Sequence, residues 1–366
     1  MPKLVVLIGA GASFDCVDAG AGVNETWRPP VVASLFGFEA SKQSSYGSIL
    51  RRYPRVNAAA DEIRSTLRRK NMPLERYLAQ MKGSKSPNVR QQYRQVPLYL
   101  QELLWRCSVD FPIVGGTKFN TLVARIEHRL HEDLEEVLYL SLNYDVLMEA
   151  ALKSLYLNGF SNIVDYVPDG NWSLVKLHGS VNWGFPLFRT SDRSLSPHLL
   201  ELGAMPDQPG QTSDNLMVLN SNEPYGDDAY RVQDGHFFYP AIALPIEGKS
   251  GFVCPPWQVE RATSVIKDCK NFLVLGCRIA DDDVINLLNQ TSEVARLRVV
   301  NGDAKAGEEA VLNLEKPGLA FTRAPAPSGH GYLSGGFSYD VRTAFGGGFT
   351  SFVDDGALDE FLSDLK

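Results

Sequence analysis

A glycine-rich turn at residues 9–13, with the sequence Gly-Ala-Gly-Ala-Ser, is the first segment of the chain that could bind a ligand. Gly9 and Gly11 would let the backbone approach a pyrophosphate closely, and N–H groups at a helix start would face its charge. The third glycine of the usual dinucleotide motif would fall at Phe14, which disfavours an ordinary hydride-transfer dehydrogenase. The alternative is a strand-to-helix turn that binds nothing.

Asn143 and Asp145 form a second cluster, directly after an apolar run. An asparagine offers both a donor and an acceptor, and an aspartate accepts from an NH2 group, so the two side chains could hold a carboxamide. The alternative is that both residues cap the helix that follows.

His178 precedes Gly179 at the end of another apolar run. Histidine changes charge near neutral pH, so His178 could act as a base or orient a hydroxyl, although a purely structural histidine is the alternative. His128 and His131 lie three residues apart on one predicted helix, with no evident third metal ligand, and are interpreted as surface residues.

Alternating strands and helices would position these residues. Apolar runs predict buried strands, which we place at 3–8, 137–142, 163–167, 173–177, 271–275 and 297–300. Helical spacing of apolar residues predicts helices, which we place at 57–70, 74–81, 91–107, 117–131, 146–156, 257–268, 281–291 and 357–365. The predicted fold is α/β, a Rossmann-like parallel sheet with helices on both faces plus a helical insertion.

Ligands of such sheets bind at the carboxyl ends of the strands. Five predicted strand ends carry Gly, Asn, Asp or His, at residues 9–13, 143–145, 178–179, 276–278 and Asn301. The predicted domains are a catalytic domain at 1–54 and 132–320, a helical insertion at 55–131, and a Gly-rich C-terminal extension at 321–366. Residues 185–244 are predicted to be irregular, with one hairpin near 216–239.

Composition narrows the function classes. Of 366 residues, 44% are hydrophobic and 22% charged, which is typical of a globular protein, and the net charge of -7 disfavours nucleic acid as the main ligand. The sequence has no apolar run long enough for a membrane span and no secretory signal, so we expect a cytoplasmic protein without a membrane partner. Five scattered cysteines without a C-x-x-C pair predict reduced thiols and no zinc ribbon.

Taken together, the motifs resemble the sirtuin-like superfamily, and most closely the NAD+-cleaving proteins of bacterial anti-phage defence. The matching motifs follow the family order, which is the turn at 9–13, the Asn-x-Asp triplet at 143–145, the His-Gly pair at 178–179, the glycine turn Gly276-Cys277, and Asn301. Deacylating sirtuins carry a four-cysteine zinc module after the His-Gly pair, whereas residues 185–245 contain no cysteine.

This resemblance implies hydrolysis of NAD+ to ADP-ribose and nicotinamide, without a metal. Asn143 and His178 would be catalytic, with Asn143 positioning the nicotinamide ribose and water and His178 acting as general base. The remaining contacts to NAD+ would come from Gly9, Ala10, Gly11, Ser13, Asp145, Gly276, Cys277 and Asn301. A non-catalytic NAD or ADP-ribose-binding signalling module, and a zinc-free deacylase or ADP-ribosyltransferase, are the alternatives.

The same resemblance implies that the activity is gated, since free destruction of NAD+ would kill the cell. A homo-oligomer is expected, and a helicase-like ATPase or an Argonaute-type defence protein is a candidate partner. Residues 51–106 hold 13 basic and four acidic residues, so this segment is basic while the rest of the chain is strongly acidic. The basic segment is either a solvated helical face or a docking surface for an acidic neighbour.

Overall fold

The structure is a computed structural model of the 366-residue chain. The residues that it describes are 2–17, 25–31, 35–36, 43–69, 72–111, 116–156, 159–189, 215–219, 231–244, 251–291, 295–302, 304–314, 330–332, 337–340 and 347–365. Much of the predicted irregular region at 185–244 and of the Gly-rich extension at 321–366 therefore lies outside the described residues.

A parallel sheet forms the centre of the molecule. Its strands are β1 (Lys3–Ile8), β2 (Glu136–Ser141), β3 (Trp172–Lys176), β8 (Asn271–Leu275), β9 (Ala295–Val300), β10 (His330–Tyr332) and β11 (Phe337–Asp340), and their order is β10-β11-β9-β8-β1-β2-β3. Only β10 among them runs antiparallel to its neighbour. Strands β2, β3 and β8 are buried at every position, as strands covered by helices on both faces require. The predicted Rossmann-like α/β fold is confirmed.

Helices connect the strands and extend away from them. Within the described residues these are α1 (Ala10–Phe14), α2 (Gln43–Arg51), α3 (Pro54–Arg69), α4 (Leu74–Lys82), α5 (Pro87–Asp110), α6 (Lys118–Glu132), α7 (Leu147–Tyr156), α8 (Pro256–Lys267), α9 (Asp282–Leu288), α10 (Ala304–Leu314), α11 (Gly348–Asp354) and α12 (Ala357–Ser363). The strand predicted at 163–167 is wrong, because Ile163–Tyr166 forms a 3-10 helix. Asn162 and Asp165 start that helix with reciprocal caps, which outweigh the apolar pattern.

A second, antiparallel sheet adjoins the first. It contains β4 (Gly179–Arg189), β5 (Met217–Val218), β6 (Arg231–Gln233) and β7 (His236–Ile242), in the order β5-β4-β7-β6. Only two residues separate β3 from β4, so the chain passes at His178 directly from one sheet to the other.

Two hydrophobic clusters hold these layers together. The larger lies around the parallel sheet, and the smaller joins α2–α5 to Val181, Ile242 and Leu244 at the antiparallel sheet. Helix α6 falls within the predicted insertion at 55–131, yet its buried side chains belong to the larger cluster. Helices α11 and α12 of the predicted extension also pack there, through residues such as Phe352. The proposed domain boundaries remain a prediction.

Across the described part of the chain, no helix has the combined length and apolar character that crossing a membrane requires.

Candidate functional site

The glycine turn packs against the turn that follows β8. The N–H groups of Gly9 and Gly11 donate to the carbonyl oxygens of Leu275 and Gly276, at 2.8 and 2.9 Å. A Cβ on Gly276, whose φ is +60°, would lie 1.9 Å from the amide nitrogen of Ala12. Glycine is therefore required at position 276, because the two backbones are in contact there. The N–H groups of Gly9 and Gly11, which we expected to face a pyrophosphate, already bind these carbonyl oxygens.

Asn143 connects the end of β2 to this turn. Its side-chain Nδ2 donates to the Gly9 carbonyl at 2.9 Å and to Ser13 Oγ at 2.8 Å. The carbonyl acceptor of Gly9 fixes which end of the amide is Nδ2. The other end, Oδ1, is buried and has no hydrogen-bond partner among the described residues. The side chain of Asn143 therefore binds the glycine turn rather than capping a helix, and its Oδ1 is an acceptor that no described residue satisfies.

Asp145 does behave as a cap. Its Oδ1 accepts from the Leu147 N–H at 3.2 Å, where α7 begins. The Asp145 carbonyl accepts from Lys176 Nζ, and Lys176 also pairs with Glu149 at 2.8 Å. Both members of this ion pair are almost completely buried, and burial raises the pKa of the Glu149 carboxyl against the opposing effect of Lys176. The pair fixes the loop that carries Asn143.

The backbone around His178 is fixed from two directions. The His178 carbonyl accepts from the Ala243 N–H at 2.8 Å, and the Tyr144 carbonyl accepts from the Val181 N–H at 2.9 Å. The His178 and Tyr144 rings are 6.4 Å apart between centroids. His178 Nε2 lies 3.1 Å from Asp281 Oδ2. His178 therefore stands next to the Asn-x-Asp loop and opposite a carboxylate.

Cys277 and Asn301 hold the segment that leads to Asp281. Asn301 Nδ2 donates to the carbonyl oxygens of Cys277 and Ala306, both at 3.2 Å, so these amide hydrogens already bind protein. Burial raises the pKa of the Cys277 thiol to about 11, which keeps it neutral. All five cysteines are buried free thiols, in agreement with the sequence prediction.

Hydrogen bonds and backbone contacts thus join most of the predicted site residues. The glycine turn, Asn143, Gly276, Cys277 and Asn301 form one connected network, Asp145 lies on the same loop as Asn143, and Ala10 is half-buried at the first position of α1. Asp281 and the Lys176–Glu149 pair were not predicted. The run of three aspartates at 281–283 is the sequence signal at this position, but acidic residues are common at the start of a helix, so the run predicts a cap and gives no indication of the contact with His178.

Gly179 gives the first testable prediction. Its φ is +81°, and a Cβ there would lie 1.9 Å from the Ala241 carbonyl oxygen, so alanine meets both backbone strain and a clash. We expect Gly179→Ala to lower the free energy of unfolding by at least about 2 kcal/mol, measured by urea denaturation.

Two other glycines provide matched controls for this substitution. Gly251 has a φ of +83°, and a Cβ there would have no atom of the described residues within 4 Å; Gly170 has no positive φ and the same open space with respect to those residues. We expect a loss of about 1 kcal/mol for Gly251→Ala from strain alone, and no loss for Gly170→Ala. Equal losses at Gly179 and Gly251 would show that the chain relieves the clash with Ala241.

Within the described ranges, no group of three or more His, Cys, Asp or Glu side chains is placed to hold a metal ion.

No protein-family model and no curated protein matches the chain. The chain is similar to solved structures of Sir2 homologues. One is a Sir2 homologue in complex with NAD, at 12% identity over 99% of this chain and 88% of that chain, with a TM-score of 0.40. Another is a mutant Sir2 homologue with ADP-ribose, at 13% identity over 85% and 90% of the two chains, with a TM-score of 0.37. A structure described as the basis for the mechanism and regulation of Sir2 enzymes is 14% identical over 86% and 90%, with a TM-score of 0.35. At these identities the similarity does not extend to the roles of side chains.

Proposed function

We propose that this chain hydrolyses NAD+ to ADP-ribose and nicotinamide. The observation that carries the proposal is the buried Oδ1 of Asn143, an acceptor without a partner among the described residues, at the carboxyl end of β2. An unsatisfied buried acceptor is costly, and a ribose hydroxyl or a water molecule held by that hydroxyl would satisfy it. The order of the motifs from residue 9 to Asn301 supports NAD+ as the molecule that supplies the ribose.

The proposed roles of the residues follow from their contacts. Asn143 would orient the nicotinamide ribose and the attacking water, and His178 would accept the proton of that water. Asp145 already caps α7 through Oδ1, so its other carboxylate oxygen, Oδ2, would accept a hydrogen bond from the carboxamide. Ser13, which binds Asn143, would hold it in position.

We further propose that the activity is gated and serves anti-phage defence. The resemblance of the motifs to bacterial NAD+-cleaving defence proteins supports this, as does the harm that uncontrolled NAD+ loss would cause. A homo-oligomer, or a helicase-like ATPase or Argonaute-type partner, would supply the gate. The contrast between the basic segment at 51–106 and the acidic remainder supports assembly through opposite charges.

The test is an NAD+ consumption assay over a range of protein concentrations, with and without the products of neighbouring genes. We expect the wild type to release nicotinamide and ADP-ribose in equal amounts, and we expect His178→Ala to release neither. NAD+ binding without nicotinamide release under any of these conditions would favour a signalling module instead. Release that depends strictly on an acyl-peptide or an acceptor protein would favour a deacylase or an ADP-ribosyltransferase.

A further inference from the structure

The carboxylate of Asp281 binds two different groups through its two oxygens. Oδ2 lies 3.1 Å from His178 Nε2, and Oδ1 accepts from the Asp283 N–H at 3.0 Å, where α9 begins. The side chains of His178 and Asp281 are only 11% and 17% exposed. Because α9 fixes one oxygen and the imidazole meets the other, the orientation of the carboxylate is set from two sides.

This contact favours one of the two neutral tautomers of His178. An ionised carboxylate can only accept hydrogen bonds, so the imidazole must donate its Nε2–H to Asp281. In a neutral imidazole only one nitrogen carries hydrogen, so the lone pair is then on Nδ1. We propose that Asp281 is a positioning residue that holds His178 in the Nε2–H tautomer and makes Nδ1 the proton acceptor. The catalytic part of this inference rests on the proposed function.

The segment that leads to Asp281 has an unusual backbone. Gly276 has a φ of +60° and Ile279 a φ of +49°, and the left-handed region is unfavourable for a β-branched residue. The Ile279 side chain is buried in the larger cluster, and its N–H donates to Cys277 Sγ at 3.2 Å. Such strain persists where the surroundings fix it, and it is common at functional sites. Packing of Ile279 therefore holds Asp281 in place.

Two titratable groups beside this pair, the Tyr144 phenol and the Cys277 thiol, are neutral at pH 7, while the carboxyl groups of Asp282 and Asp283 follow Asp281 in the first turn of α9. Burial raises the pKa of the Tyr144 phenol, an effect to which Glu75 and Asp281 add. Burial also raises the pKa of the Cys277 thiol to about 11. The Asp281 carboxylate, 3.1 Å from His178 Nε2, supplies negative charge in direct contact with the ring, where an imidazolium would form.

The reaction step uses this arrangement as follows. Water forms a bond from its oxygen to C1′ of the nicotinamide ribose and gives its proton to His178 Nδ1. The C1′–N bond breaks, and its electron pair leaves with nicotinamide, which neutralises the charge of the ring. The carboxylate of Asp281 stabilises the resulting imidazolium, which returns its proton to solvent.

The matched variants are Asp281→Asn and Asp283→Asn. Asparagine caps a helix as well as aspartate does, so Asp281→Asn keeps the start of α9 while it removes the charge. Asp283→Asn removes a nearby charge that binds the Gly251 N–H, at 2.8 Å, rather than His178. We expect Asp281→Asn to lower kcat about 10- to 100-fold with little change in KM, a smaller loss than the ~10²–10⁴-fold typical of removing the base itself. Asp283→Asn should keep the wild-type kcat.

Two further measurements separate positioning from a general structural effect. The acidic limb of the kcat/KM pH profile should move to lower pH in Asp281→Asn, because the imidazolium loses the neighbouring negative charge. In ¹⁵N NMR spectra of the imidazoles, the resonances of His178, assigned by their loss in His178→Ala, should show the Nε2–H tautomer in wild type. That tautomer should lose population in Asp281→Asn.

If the wild type is active and the Asp281→Asn variant keeps the wild-type kcat and pH profile, the catalytic part of the inference is wrong. If wild type releases no nicotinamide, the proposed function fails, and the NMR measurement alone decides the positioning role. An unchanged tautomer population in Asp281→Asn would overturn that role, whatever the activity of the enzyme.

Discussion

Replacing Asn143 with alanine is expected to slow nicotinamide release by about 10²–10³-fold, the usual effect of removing one preorganised polar group from an active site. The substitution deletes Oδ1, which has no partner among the described residues, and also the two bonds from Nδ2 to Gly9 and Ser13. Each lost hydrogen bond contributes about 1 kcal/mol to stability, so the protein should remain folded. Single-turnover assays with NAD+, alongside thermal unfolding, measure both effects.

Two other substitutions show whether the loss arises from Oδ1. Ser13→Ala removes one partner of Nδ2 but leaves Oδ1 in place, so it should reduce the rate far less than Asn143→Ala. Asn162→Ala removes a helix-capping asparagine outside the site and should leave the rate unchanged. Equal rate losses in Ser13→Ala and Asn143→Ala would mean that Asn143 acts only by holding the glycine turn, and would count against a direct role for Oδ1.

The parallel sheet was predictable because its strands are continuous apolar runs that end in turn residues. β1, β2, β3, β8 and β9 lie within two residues of their predicted positions. Parallel strands that share an edge bring their following turns together, which is why the motif positions converge. The order and register of the strands come from pairing between distant segments, and local sequence patterns carry no information about this.

The function of the first glycine turn could not be derived in the same way. A Gly-x-Gly sequence fits either an anion cradle or a close contact between backbones, and the sequence motif does not separate them. In the structure the N–H groups of Gly9 and Gly11 donate to the carbonyl oxygens of Leu275 and Gly276, and these bonds join segments that are far apart in the chain. Asn301 is a similar case. Its position at a strand end predicts a contact to a ligand, but its amide hydrogens bind the carbonyl oxygens of Cys277 and Ala306.

Of the two C-terminal helices, α12 lies within the predicted helix at 357–365, whereas α11 was not predicted. The segment at about 325–350, which is rich in glycine and serine, predicts a loop or a β-hairpin, and β10 and β11 pair as antiparallel strands within it. Helix α11 begins near its end and packs beside the glycine turn, where the Thr350 hydroxyl donates to the Asp15 carbonyl at 2.9 Å. Gly348 has a φ of +75°, and a Cβ there would lie 2.1 Å from Asp15 Oδ2. Glycine at 348 therefore lets the start of α11 lie directly against Asp15, and the apolar residues that follow pack in the larger cluster.

Lys176 shows why a charged residue at a strand end is not always exposed. Its position after an apolar run is typical of a strand that reaches solvent, but its side chain is only 1% exposed. Burial is possible because Glu149 supplies the opposite charge and the Asp145 carbonyl accepts a further hydrogen bond. That partner lies on α7, so the sequence around Lys176 does not indicate it.

Replacing Lys176 with methionine should destabilise the protein by about 3–5 kcal/mol, the cost typical of leaving one member of a buried ion pair alone. Burial already raises the pKa of Glu149, and loss of Lys176 removes the main opposing effect. A carboxyl whose pKa is higher in the folded than in the unfolded protein stabilises the fold at low pH and loses this contribution as pH rises. Urea denaturation should therefore show a larger defect at pH 8 than at pH 5.

The double variant Lys176→Met with Glu149→Gln tests this explanation. Glutamine keeps an oxygen that can accept from Ser180 Oγ and the Tyr166 hydroxyl, which bond to Glu149 Oε1 at 3.3 and 3.2 Å, but it has no charge to bury. The double variant should regain most of the stability at pH 8 and lose the extra pH dependence. If it stays as unstable as Lys176→Met at both pH values, the defect comes from the lost bond to the Asp145 carbonyl, and the buried charge of Glu149 is not its cause.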